Sequence, residues 1–412
     1  MRIIYSLLIM LALPFAVVRL WWRARLQPGY LKHVGERFGR YAAVHDGAPL
    51  IWLHAVSVGE TRAAEPLLRA LRERYPAHRI LLTHMTPTGR ETGEMLFGAE
   101  VLRCYLPYDY PRAVARFLDH FRPSVGVLME TEIWPNLVHA CRTRATPLYL
   151  VNARLSEKSF ARYQRVGALT AETMRALSAI AAQTEDDAQR FKTLGASQVS
   201  VTGNLKFDVT LPAAHLALGA HLRESFGARR VLLAASTRDG EELLFLNNKL
   251  HEISDTLLVI VPRHPQRFDE VAALLAQHQI PYQRRSANEP LRDETRVLLG
   301  DSMGEMIAYY AACDVAFIGG SLLPFGGQNL IEACAAGKPV LIGLHTYNFA
   351  EASERAVNRG AALRVMDAPD LLRKATALLA NPKVTERMGA AALAFTNEHR
   401  GATKKLMEII RF

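Results

Sequence analysis

With 412 residues, half of them hydrophobic, the chain can bury more than one core and is too apolar to be intrinsically disordered. Its formal charge of +10 calls for an anionic partner: nucleic acid, acidic lipid or a phosphorylated substrate. The four cysteines (Cys104, Cys141, Cys313, Cys334) lie far apart, with no C-x-x-C and no clustered histidines, so neither a disulfide framework nor a zinc site is indicated and a reducing compartment fits.

Residues 3–18 are almost entirely apolar, are interrupted by Pro14, and run into Arg19, Trp21, Trp22, Arg23 and Arg25. The run is marginal in length for a full span. Its basic flank follows the apolar stretch, and no small-residue cleavage site comes after it, which argues against a removed secretory signal. Positive residues stay cytoplasmic and tryptophans favour the membrane interface, so residues 1–25 read as a membrane anchor with its flank and the remainder as cytoplasmic. A core helix of the first domain is the competing reading.

From Pro49 the chain alternates short apolar runs with amphipathic segments. Strands are expected in LIWLHAVS (50–57), RILLTHMT (79–86), SVGVLMETE (124–132), PLYLVNARL (147–155), AIAAQTE (179–185) and QVSVTGNLKF (198–207). Residues 211–228 carry no strand signal and read as a connection. The pattern restarts with RRVLLAAST (229–237), DTLLVIVPRHP (255–265), TRVLLGD (295–301), DVAFIGG (314–320) and KPVLIG (338–343). Strand alternating with helix means parallel sheets covered on both faces. The expected architecture is α/β: Rossmann-like domains over 26–210 and 229–390 facing a cleft, and a basic amphipathic helix over 391–412. Ligands in such sheets sit outside the C-terminal strand ends.

Strand ends therefore come next. Pro66 is tolerated only in a helix's first turn, which starts the first helix near residues 62–65 and leaves Glu60 in the loop before it. A carboxylate there can accept a proton from an attacking hydroxyl, or simply complement a helix dipole. Glu130 and Glu132 end an otherwise apolar strand, and burying them costs several kcal/mol unless they are paired. Arg154 and Lys206, each at its own strand end, are the candidate partners, and a purely structural ion-pair network competes with a catalytic one.

In the second half, Arg263 offers a fork of donors suited to phosphate. His264 alone reads as a structural hydrogen-bonding residue, and Ser302, Gly304 and Glu305 could meet a base or ribose. In SLLPFGGQNLIEACAAG (321–337) Asn329 is a plausible helix N-cap, with Glu332 three residues on. That pair is either a capping box or one wall of a nucleotide-sugar site, with Glu332 on the sugar hydroxyls. The chain has no P-loop, G-x-S-x-G or G-x-G-x-x-G, which argues against ATP hydrolysis, triad esterases and ordinary dinucleotide redox chemistry.

Taken in order, HAVSVGE (54–60), MTPTGRE (85–91), LPYDYP (106–111), ETEIWPN (130–136), NARLS (152–156), GNLKFD (203–208), VPRHPQRF (261–268), GDSMGEM (300–306) and GGSLLPFGGQNLIEACAAGKPV (319–340) resemble one family. It is the 3-deoxy-D-manno-octulosonic acid (Kdo) transferases of Gram-negative lipopolysaccharide synthesis. The resemblance implies an inverting glycosyltransferase of GT-B architecture. Such an enzyme moves Kdo from CMP-Kdo onto a lipid A precursor, lipid IVA, at the cytoplasmic face of the inner membrane.

By the same resemblance Glu60 matches the catalytic base, and Glu130 and Lys206 match positions supporting the transition state. Pro262 with Arg263, Met303 with Gly304 and Glu305, and Asn329, Leu330, Ile331 and Glu332 match the CMP-binding segments. No active-site metal is implied, and no cofactor beyond the donor itself. Gln328 stands where the family usually has histidine. An anionic glycolipid acceptor and inner-membrane lipid account for the basic residues Arg19, Arg23, Arg25, Lys32, Arg37 and Arg40, and make nucleic acid the poorer partner. A GT-B enzyme of another donor, such as a UDP-sugar transferase or epimerase, is the alternative; a silent nucleotide-sugar-binding protein is the third reading.

Overall fold

A computed structural model describes residues 1–42 and 47–412. The chain forms two compact units, Met1–Asp208 with Arg400–Phe412, and Val209–His399.

The first unit holds strands β1 Leu50–His54, β2 Arg79–His84, β3 Val101–Tyr105, β4 Val125–Met129, β5 Leu148–Ala153, β6 Ala179–Ala182 and β7 Val199–Val201. They form one parallel sheet of seven strands in the order β3-β2-β1-β4-β5-β6-β7. β1, β4 and β5 are buried at every position, which is why they read as unbroken Leu, Ile and Val runs rather than alternating ones. Trp52 shows how tightly this core is fitted: its ring packs edge-on against Phe117, and a Cβ at Gly126 would lie 2.7 Å from it. Only glycine fits there.

The second unit repeats the plan with β8 Arg230–Thr237, β9 Thr256–Pro262, β10 Tyr282–Arg284, β11 Val297–Leu299, β12 Val315–Ile318, β13 Val340–Ile342 and β14 Ala362–Arg364. Its seven-stranded parallel sheet runs β10-β11-β9-β8-β12-β13-β14. In each sheet the chain crosses once from one half to the other, which puts a switch point at β1/β4 in the first unit and at β8/β12 in the second, where β11 also inserts between β9 and β10. Those two switch points are where doubly wound sheets bind ligands.

Three strands escape the sequence reading: β3, β10 and β14. All three are edge strands, and each carries arginine (Arg103, Arg284, Arg364) in a segment covered on one side only. Edge strands bury less and so lose the apolar signature. Residues 211–228 are not a bare connection: Ala213–Ser225 is a helix packed on the helix Met306–Ala312, with Gly219 allowing the close approach. The single C-terminal helix expected over 391–412 is two. Helix Pro382–His399 belongs to the second unit, and Gly401, at φ +100°, breaks the chain before helix Ala402–Ile409 joins the first. Asp208 caps that last helix by accepting from the Gly401 and Thr403 amides, while Leu406, Met407 and Ile410 fill the first unit's core.

The N-terminal helix Arg2–Leu26 continues through Pro14. It is long and apolar enough to cross a membrane, with a mean hydropathy of 2.3 over its best window, of which 11% is buried. Arg37, counted above among the lipid-facing cations, is instead 1% exposed. Its guanidinium donates to the Met85 carbonyl at 3.1 Å and lies over the Tyr105 ring at 4.0 Å, so it braces the first unit from within.

Candidate functional site

At the first switch point Glu60 is not in a loop. Ser57 caps a short helix, Val58–Ala63, and Glu60 sits in its first turn; the chain then restarts at Ala64, which lets Pro66 occupy the first turn of a second helix, Glu65–Arg74. The reason is local: Ser57-x-x-Glu60 is a capping box. The Glu60 amide donates to Ser57 Oγ at 3.5 Å, Val56 N–H donates to Glu60 Oε2 at 2.8 Å, and the Ser57 hydroxyl donates to Oε1 at 3.0 Å. Behind this turn, buried His84 places Nδ1 2.9 Å from the Ala55 carbonyl, holding the strand end that leads into Val56.

Burial pushes the Glu60 carboxyl up to about 7 against the pull of the Val56 amide, and the charges of Glu130 and Glu132 add to the rise. Glu132, also raised by burial, accepts from Trp134 Nε1 at 2.9 Å rather than pairing with a cation. Glu130 follows β4 with φ +56°, a left-handed conformation that costs a non-glycine residue about 1 kcal/mol or more. Lys206 Nζ approaches its Oε1 at 3.9 Å. Arg154, the other candidate partner, reaches Glu130 through its backbone N–H, 3.4 Å from the Glu130 carbonyl. Asn152 at the end of β5, also left-handed at φ +50°, accepts from the Leu205 amide at 3.0 Å and so fixes the turn that bears Lys206. Glu60, Glu130, Glu132 and Lys206 thus form one electrostatic cluster at the C-terminal edge of the sheet. Asn152's part was missed, because nothing in the NARLS segment signals a contact more than fifty residues away.

The second unit arranges its groups around β8, β9 and β12. Pro262 ends β9, and Arg263 Nε donates to Gln328 Oε1 at 3.0 Å, so the glutamine in the GGQN turn orients the arginine. Asn329 Oδ1 accepts from the Ile331 amide and its Nδ2 donates to Glu332 Oε1, both at 3.0 Å. The N-cap expected at Asn329 falls instead on Leu330, because the helix is only the five residues Ile331–Ala335; Asn329, one residue earlier, is hydrogen-bonded to Glu332 in its first turn. Leu330 and Ile331 are fully buried, and the Ile331 amide is already taken by Asn329, so both pack the helix start rather than face a ligand. Buried Tyr310 lies within electrostatic reach of both Glu332 and Arg263. After β11, Met303 is 60% exposed and Gly304 turns at φ +84°. Glu305 accepts from the Ser302 hydroxyl at 2.6 Å and pairs with Arg285 at 3.3 Å.

Two buried carboxylates in the turn after β8 have distinct jobs. Glu241 accepts from the amides of Arg238, Gly320, Ser321 and Leu322, which clamps the GGS loop to the end of β8. Glu242 accepts from both guanidinium nitrogens of Arg267 and from Thr237. The β8 and β12 ends touch closely: a Cβ at Gly319 would lie 2.5 Å from the Ser236 carbonyl oxygen and 2.7 Å from Thr237 Cα. Gly319→Ala is expected to cost about 1–3 kcal/mol by forcing these strand ends apart; a fall in Tm by differential scanning fluorimetry checks it.

Two doubly wound parallel sheets with charged groups at their strand ends give the chain the fold of the GT-B class. UDP-GlcNAc 2-epimerase from Neisseria meningitidis, solved with UDP-GlcNAc, shares the fold: 87% of this chain and 99% of that one superpose with a TM-score of 0.57 at 16% identity. Residues 32–209 match the family described as 3-deoxy-D-manno-octulosonic-acid transferase, and residues 250–395 match glycosyl transferases group 1. The 3-deoxy-D-manno-octulosonic acid transferase of Bordetella pertussis is 45% identical over 99% of this chain and 98% of its own length. That of Haemophilus influenzae is 37% identical over 100% and 98%. The chain belongs to the Kdo transferase family.

Proposed function

We propose that the chain transfers Kdo from CMP-Kdo to a lipid A precursor of the lipid IVA class, with inversion, at the cytoplasmic face of the inner membrane. The carrying observation is Glu60: a carboxylate held by an amide and a hydroxyl, yet raised by burial to about 7, where it can both accept and release a proton at working pH. In this reading Glu60 takes the proton of the acceptor hydroxyl as its oxygen attacks the anomeric carbon of Kdo. The bond from that carbon to the CMP phosphate breaks, and the electron pair leaves with the phosphate.

Lys206 and Arg263 supply the positive charge that offsets what develops on donor and leaving group. Glu130 holds Lys206. In the second unit, Pro262 and Arg263, the Met303–Glu305 turn and the Asn329–Glu332 segment take the nucleotide, with the Asn329–Glu332 pair directed to ribose hydroxyls. The apolar helix Arg2–Leu26 anchors the enzyme to the membrane that carries its acceptor.

Lys206→Met is expected to lower kcat by about 10²-fold with little change in donor KM, because the charge it offsets appears only in the transition state; steady-state kinetics against CMP-Kdo reads the split. Calorimetry tests the donor assignment: CMP is expected to bind more tightly than UDP. Tighter UDP binding would contradict the reading and favour a UDP-sugar enzyme of the same fold.

A further inference from the structure

We propose that the N-terminal helix lies flat along the membrane surface, with its first turn on the same side of the bilayer as the rest of the first unit. The proposal rests on the reading that this helix meets the membrane, and it assigns the helix an orientation that its length and hydropathy leave open.

The helix is shielded along one face only. Arg2, Tyr5, Ser6, Ile9, Leu13, Ala16, Leu20, Arg23 and Ala24 are the shielded positions of the helix, at spacings of three and four that make one continuous stripe from end to end. The opposite face is open, with Ile3, Leu7, Leu11, Phe15, Val18 and Trp22 all exposed. A helix released into lipid has no reason to be shielded along one line.

Both ends of the stripe are tied to the first unit. At the start of the helix the Tyr5 hydroxyl donates to Asp109 Oδ2 at 2.9 Å, and Ser6 Oγ and Arg2 donate to Asn136 Oδ1 at 2.9 and 3.4 Å. Asp109 and Asn136 are each 2% exposed, and Asp109 also accepts from the Asn136 and Leu137 amides that begin the helix Pro135–Thr143. At the far end Leu20 and Ala24 are buried and Arg23 donates to the Tyr30 hydroxyl. Ser6 and Ala24 are separated by about 27 Å along the axis, close to the roughly 30 Å of a hydrocarbon core. A crossing helix would therefore carry Tyr5 and Ser6 to the far side. It would have to break every one of those first-turn bonds and strip partners from a buried carboxylate and a buried amide, which such groups resist.

The partner is an anionic bilayer surface. Arg19, Arg23 and Arg25 sit with Trp21 and Trp22 at one end, and Arg25 lies 4.0 Å over the Trp21 ring, an aromatic and basic edge suited to headgroups beside an apolar face suited to acyl chains. The arrangement has a use for the reaction. Asn136 follows Trp134, whose indole holds Glu132, so the lipid-facing helix and the acidic loop are joined through two side chains. It also gives the LPYDYP segment a purpose, since Asp109 is the residue that receives the helix.

The test uses the full chain with a cysteine-bearing leader ahead of Met1, in inverted inner-membrane vesicles whose cytoplasmic face is outward. The four native cysteines are buried and give little background. A membrane-impermeant maleimide is applied before and after detergent, and Leu26→Cys, at a position 83% exposed, marks the side of the first unit. The expected result is that both cysteines label without detergent and that detergent adds nothing at the leader. Labelling of the leader only after detergent, with Leu26→Cys open throughout, overturns the flat orientation but leaves the anchor intact. Recovery of the chain in the soluble fraction overturns both.

Discussion

Replacing Glu60 by glutamine drops kcat for sugar transfer by about 10²–10⁴-fold, the range lost with a general base, while the chain stays folded. Glutamine keeps an acceptor for the Val56 amide and nearly the same volume, so the capping box loses little and the effect falls on proton transfer. Because the base must be ionised, wild-type kcat/KM is expected to climb as pH rises toward about 7 and to level off above it. In E60Q the residual activity loses that limb.

Stability moves the other way. The folded-state carboxyl titrates above its unfolded value of 4.5, so the native state binds the proton more tightly, and stability falls as pH rises from about 4.5 to about 7. Ionised Glu60 therefore costs the fold up to a few kcal/mol at neutral pH, an order-of-magnitude figure. E60Q is expected to melt at or above wild type at pH 8. Higher melting combined with lost turnover separates a strained functional carboxylate from a helix cap, whose loss would lower both.

The second large effect is at Arg263. Arg263→Ala removes the guanidinium that Gln328 orients, and CMP affinity by calorimetry is expected to weaken by about 10–100-fold, as for one or two charge-assisted hydrogen bonds. Arg263→Lys recovers little, since an ammonium cannot both donate to Gln328 and present a planar fork to phosphate. Gln328→Ala, which removes one hydrogen-bond partner of the arginine and leaves the guanidinium in place, has a smaller effect of a few fold. Arg263 is only partly buried, so Tm should hardly change and the loss is read as binding.

Much of this architecture is legible in the sequence. The central strands announce themselves because both their faces are buried, and the acidic and basic strand ends stand out because such residues are expensive there. What escapes the sequence has two physical sources. Edge strands such as β3, β10 and β14 bury one side only and carry arginine, so they look like loops. Tertiary placement decides the rest: Arg37 reads as a lipid-facing cation yet is wrapped by Tyr105 and Met85, and Gly401 cuts what composition presents as one helix.

Glu60 shows a local rule misapplied. Pro66 correctly forbids one helix running through 58–74, but the chain satisfies it by making two, the first opened by Ser57. Long-range pairs such as Arg263–Gln328, Arg285–Glu305 and Tyr5–Asp109 leave no mark in the local pattern, because each joins elements that only the fold brings together.

Product mass spectrometry reads the sugar transfer itself. The purified full-length chain is incubated with a tetra-acylated lipid A precursor and a CMP-Kdo supply. With wild type the acceptor is expected to gain mass in whole Kdo increments, and with E60Q that gain is expected to be lost. An acceptor left unchanged by wild type with CMP-Kdo, or a sugar gained from a UDP-linked donor instead, would contradict Kdo transfer.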